Sequence, residues 1–69
     1  KTMYKESLVA YQEVLDLSPS DADAYMGMGV TYWKMDEKQL ARASWEKSIE
    51  IKPENNESRG WLILSRQGS

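Results

Sequence analysis

Residues 11–19 read YQEVLDLSP, and residues 45–53 read WEKSIEIKP. Laid over one another, the two stretches pair Tyr11 with Trp45, Leu15 with Ile49, Asp16 with Glu50, Leu17 with Ile51 and Pro19 with Pro53, all at an offset of 34 residues. The same offset pairs Ser7 with Ala41 and Ala10 with Ser44. Large side chains meet large, small meet small, and acid meets acid. A matched proline alone would mean little. A matched proline behind a matched aromatic, small and aliphatic pattern marks an internal repeat.

The periodicity around these stretches is helical. Tyr4, Ser7, Leu8, Tyr11, Val14 and Leu15 recur at steps of three and four and form one apolar stripe, with Lys5, Glu6, Gln12, Glu13 and Asp16 on the other side. Pro19 stops this helix, which spans about residues 2–18, because the residue before a proline is pushed out of the helical region. Ser20 is expected to cap the next helix, with Asp23 completing a Ser-x-x-acid box.

That helix, about residues 21–35, is apolar on two sides: Tyr25, Met28, Gly29 and Tyr32 form one stripe, and Met26, Val30 and Trp33 another. Such a helix needs cover on both sides or offers one to a ligand. Asp36-Glu37 is a short polar joint. A third helix carries Leu40, Ala41, Trp45, Ser48 and Ile49 on its buried face, turns Arg42, Glu46, Lys47 and Glu50 outward, and ends at Pro53. A final helix within residues 56–67 carries Trp61, Leu62, Ile63 and Leu64. Short joints imply antiparallel neighbours. The whole chain, residues 1–69, reads as a single all-α unit.

Composition narrows the functions. The chain has no Cys and no His, so it lacks disulfides and the usual ligands of a structural zinc site. Nine basic and eleven acidic residues are interspersed, net −2, without the basic block that nucleic-acid binding needs. No apolar run is long enough to span a bilayer, so membrane insertion is not expected. Lys1 opens directly on helix-patterned sequence without a start Met, which reads as a piece of a longer chain, with Gly68-Ser69 either natural or appended. Sixty-nine residues bury a modest core, so support from neighbouring chain or a second subunit is expected.

Residues 22–55 resemble one complete tetratricopeptide repeat. The pattern of that family is an aromatic, Leu-Gly, Tyr, Ala, an aromatic and Pro; here it reads Tyr25, Met28-Gly29, Tyr32, Ala41, Trp45, Ser48 and Pro53. Residues 2–18 resemble the second helix of a preceding repeat, and residues 56–67 the first helix of a following repeat or a capping helix. The resemblance implies an α-solenoid of antiparallel helix pairs, with Gly29 and Ala41 small where paired helices approach. Three departures stand out. Met28 replaces Leu. Asp36 and Lys38 replace the usual Gly and Tyr of the turn. Trp61 falls two residues beyond the place of the family's aromatic, at Arg59, which implies a loop lengthened by two residues or a capping helix.

Catalytic chemistry finds little to work with. Pairs such as Glu46/Glu50 and Glu13/Asp16 lie on polar faces, Asp21 and Asp23 sit at a helix start where acids favour exposed amides, and Gly27 and Gly29 lie inside a helix and follow no strand, so they form no phosphate loop. No enzyme activity, cofactor or metal is expected. In the family, successive first helices line a concave groove that holds peptides or helices. The resemblance makes Asp23, Met26, Val30, Trp33 and Lys34 the groove-facing set. The matching places do not supply the Lys/Asn/Arg clamp with which one subfamily holds acidic chaperone termini. Met26 and Trp33 are expected to contact a ligand; Val30 serves a ligand or a flanking helix equally well. The implied function is a scaffold or adaptor that binds a protein or peptide. The alternative is a purely structural or oligomerisation segment of a larger protein, with self-association through open repeat ends.

Overall fold

The computed structural model describes residues 3–67; the expected helix start at Thr2 and the terminal Gly68-Ser69 pair lie outside them. Four helices follow in order: α1 (Tyr4–Leu17), α2 (Ala22–Lys34), α3 (Lys38–Ile51) and α4 (Asn56–Gln67). The Cα trace fills 32 × 31 × 15 Å. Its short dimension is that of two helices at the usual packing distance of about 8–10 Å, so the helices form a slab two layers thick. All regular elements among the described residues are helical.

The helix starts repeat with the same period as the sequence. Asp21, and not Ser20, caps α2: its carboxylate accepts the Ala24 N–H at 3.1 Å. Pro19 and Ser20 are taken up in the preceding turn, where the Asp21 N–H donates to the Ser18 carbonyl. That leaves the next acid to satisfy the first free amides of the helix. Thirty-four residues on, the Asn55 N–H donates to the Lys52 carbonyl, and the Asn55 side chain accepts the Ser58 N–H at 3.3 Å. Helix α4 therefore begins in register with α2. The loop after Pro53 is not lengthened, and Trp61 stands at the place of Gly27, not of Tyr25.

Asp36 closes α2 with φ 66°. The Glu37 N–H donates to the Tyr32 carbonyl at 2.9 Å and the Asp36 N–H to the Trp33 carbonyl at 3.0 Å. This is the paired-bond ending in which a left-handed residue, usually Gly, follows the helix. Asp tolerates that conformation better than most side chains.

Helices α2 and α3 pack as the central pair. Ala41, Trp45 and Leu62 form the buried cluster, with Ala41 and Trp45 fully inaccessible. A Cβ at Gly29 would collide with the Trp45 indole, whose Nε1 donates to the Met26 carbonyl at 3.2 Å. The closest approach at Gly29 is thus to the Trp45 ring, with Ala41 buried beside that ring and Leu62. A Cβ at Gly27 would likewise collide with the Tyr11 ring.

Two placements on α3 differ from the sequence expectation. Leu40 is 47% exposed, because it lies about 100° from Ala41 around the helix. Arg42, on the opposite shoulder, is partly covered and points its guanidinium toward the Ser65 carbonyl at 3.5 Å, as α4 passes on that side. On α1, Val14 sits at the edge of the stripe and is 40% exposed.

A buried polar hub joins α2, α3 and α4. The Ser48 hydroxyl donates to the Ala22 carbonyl at 2.9 Å. It accepts from the Asn55 side-chain amide at 2.9 Å and from the Ser58 hydroxyl at 3.0 Å. One donor and two lone pairs are all a hydroxyl has, so Ser48 is fully used.

Candidate protein-binding surface

The five residues of the expected groove fall within an arc of about 100° on α2. They do not all meet. Met26, Val30 and Lys34 line a cleft of about 600 Å³ between α1 and α2, whose other wall is Met3, Tyr4, Ser7 and Tyr11. Asp23 stands past the end of that cleft, in a smaller one of about 220 Å³ shared with Tyr11, Val14 and Asp21. Tyr11 lies in both, so the two depressions adjoin along the seam of the two helices. Lys34 and Asp23, eleven residues apart, mark opposite ends of α2 at a rise of about 1.5 Å per residue.

Trp33 turns the other way. Its indole packs on Trp45, with ring centroids 5.9 Å apart and planes at 44°. The Lys38 ammonium lies 5.2 Å from the Trp33 ring centroid, within reach of a cation–π attraction. Met26, Val30 and Trp33 are all half-buried against the Ala41–Trp45–Leu62 cluster. Each therefore has a packing role in the free chain, and Met26 and Val30 also keep an edge on the cleft.

The α1 wall was not picked out by residue type alone. Met3 is 61% exposed, while Tyr4, Ser7 and Tyr11 are half-buried. The second omission lies on α4. At the 34-residue offset, Glu57 takes the place of Asp23, Gly60 of Met26 and Leu64 of Val30. These three, with Trp61, line a further notch of about 250 Å³. The period that exposed the repeat would have found them, had it been carried through Pro53 without a shift. Leu64 and Ile63 are 52% and 56% exposed.

The surface offers apolar side chains at helical spacing with a cation at one end and carboxylates at the other. Among the described residues no group of three or more His, Cys, Asp or Glu could hold a metal ion, and no helix is long and apolar enough to cross a membrane.

The sequence matches the TPR repeat family over residues 3–36 and the tetratricopeptide repeat family over residues 22–55. The two matches overlap on α2 and together reach from the start of α1 past the end of α3. Among curated proteins, the chain is similar to RNA polymerase-associated protein CTR9 of Saccharomyces cerevisiae, 29% identical over 65 residues. The match takes in 93% of this chain and spans 6% of the length of that relative. No solved structure matches it significantly.

Proposed function

The chain belongs to the tetratricopeptide-repeat family, whose repeats serve protein–protein interaction, and from that premise we propose that the α1–α2 cleft holds an apolar helical segment of another protein. The observation that carries the reading is the cleft itself: Met26 and Val30 face Tyr4 and Tyr11 across it, with Lys34 at one end. A helix laid into such a groove buries anchors spaced three and four apart. Its affinity comes chiefly from apolar area removed from water, about 25 cal/mol per Å². Adaptable Met side chains at the rim suit partners of varied shape. A curated relative named for its association with RNA polymerase agrees with a role in docking one protein on another.

Titration of nitrogen-labelled chain with amphipathic helical peptides, followed by amide NMR, tests this. Shifts concentrated at Tyr11, Met26 and Val30, abolished by Val30→Asp, support it. Shifts confined to the outer face around Val9 and Leu17 would remove the cleft from consideration.

One observation favours a second reading. Trp33, expected at a ligand contact, lies on Trp45 beneath Lys38, as a spacer residue would, while Met3, Ile63 and Leu64 stay exposed at the two ends. On that reading the helices space a larger assembly or associate with copies of themselves. Sedimentation from micromolar to millimolar concentration tests the self-association arm of that reading: a strict monomer throughout removes it.

A further inference from the structure

We propose that Gly60 is the seat of an aromatic side chain carried by the bound segment; this rests on the reading above and names the partner's chemistry. Glycines stand inside the described helices at 27, 29 and 60. The first two are bare for a visible reason. The Tyr11 ring fills the space that a Cβ at Gly27 would need, and the Trp45 indole the space at Gly29. A Cβ at Gly60 would meet nothing within 4 Å. A glycine inside an exposed helix weakens it relative to alanine, and no contact among the described residues offsets that. At two of the three helical glycines a ring from a neighbouring helix fills the socket left by the missing Cβ, and at Gly60 that socket is open.

Its walls say what would fill it. The notch of about 250 Å³ is lined by Glu57, Gly60, Trp61 and Leu64. It is a shallow, open notch lined by four residues, with room for one large side chain laid across it. Trp61 already stacks on Trp45, and Trp45 lies against Trp33. A ring entering over Gly60 would extend this row of indoles with a further aromatic contact. Leu64 supplies an apolar floor. Glu57 is the charged residue of the lining, so a Lys or Arg within a helical turn of the ring would find its counter-ion there. Gly60 repeats the place of Met26 at the 34-residue offset, which makes the notch a continuation of the surface on α2. The occupant is therefore a partner helix presenting a Trp, Tyr or Phe followed closely by a basic residue.

The test is selection of a phage-displayed library of randomised helical peptides against the chain and against Gly60→Ala. The wild-type selection is expected to enrich an aromatic followed within one turn by Lys or Arg. Those peptides should bind Gly60→Ala about tenfold or more weakly, a loss of about 1.4 kcal/mol, although Gly60→Ala melts about 4–8 °C higher. Glu57→Gln should reduce the enrichment of the basic residue alone. Peptides that bind both proteins equally through Met26 and Val30 would overturn the Gly60 seat while leaving the cleft reading standing. A library from which neither protein selects any helix would overturn both. A Gly60→Ala protein that melts lower than the parent would show that the socket is not open.

Discussion

The indole of Trp45 lies on that of Trp61, ring centroids 5.4 Å apart and planes 15° from parallel, whereas 34 residues earlier the ring of Tyr11 lies on the bare Cα of Gly27. The two junctions are built at equivalent places with different volumes. Between α1 and α2 the ring comes from one side and the gap from the other. Between α3 and α4 both sides bring an indole. Trp61→Ala is expected to destabilise the chain by somewhat less than the about 3–5 kcal/mol of a fully buried Trp→Ala change, since Trp61 is half-buried. Urea unfolding measures it, and hydrogen exchange should show α4 loosening before α2 and α3.

Gly29 and Gly60 should respond in opposite directions to the same substitution. Alanine is the better helix former at both. At Gly29 the new methyl group meets the Trp45 indole, which is fully buried and has no room to withdraw. Gly29→Ala should therefore cost about 1–3 kcal/mol through overpacking, read as a lowered denaturation midpoint. Ala41→Leu should cost a similar amount, because Ala41 is wholly inaccessible beside the same ring. If either variant matches the parent, the core has slack that these contacts do not suggest.

Ser48→Ala removes the centre of the polar hub. The Ala22 carbonyl, the Asn55 amide and the Ser58 hydroxyl each lose a partner. Orphaning buried polar groups costs about 1–3 kcal/mol. The double variant Ser48→Ala/Ser58→Ala should be less destabilised than the sum of the two single changes, since it removes an orphan as well as a partner. Strict additivity in thermal melts would contradict the hub.

Asp36→Gly should stabilise. The backbone there has φ 66°, where a side chain costs roughly 1–2 kcal/mol and glycine does not pay it. Glycine also gains freedom in the unfolded chain, which returns part of that. The ion pair lost with Asp36, at 4.0 Å from Lys38 and largely exposed, contributes little. A net gain of up to about 1 kcal/mol is expected, seen as a higher melting temperature with unchanged helicity. A lower melting temperature would mean that the carboxylate does more than occupy the turn.

The helices and their period were legible because burial imposes a pattern on residue type: Tyr11 and Trp45, Leu15 and Ile49 each had to face inward at the same point of the repeat. Where the sequence misled, two residue types could serve one role. Ser20 and Asp21 can both cap a helix, and the turn in which the Asp21 N–H donates to the Ser18 carbonyl decides which stands at the boundary. Leu40 is apolar, yet helical geometry turns it out and brings Arg42 partly in. Trp61 invited alignment with another aromatic, Tyr25, when the caps Asp21 and Asn55 set the true register. For the candidate surface, Met26, Val30 and Lys34 were readable as neighbours on one face. The opposite wall on α1 depends on how two helices cross, which no single-helix pattern contains. Trp33 left the set because a large flat side chain at the edge of a face reaches the adjacent core.

The hub around Ser48 also bears on mechanics. Apolar attraction has little directional preference, whereas hydrogen bonds weaken as their angles depart from linear. At this junction the successive units are pinned by bonds from Ser48 to α2 and from Asn55 and Ser58 to Ser48, so their mutual tilt has a preferred value with a steep restoring force. Added over successive junctions, such tilt is the curvature of a superhelix. A hydroxyl at residue 48 in place of a methyl group therefore ties the tilt of this junction to hydrogen-bond geometry as well as to packing.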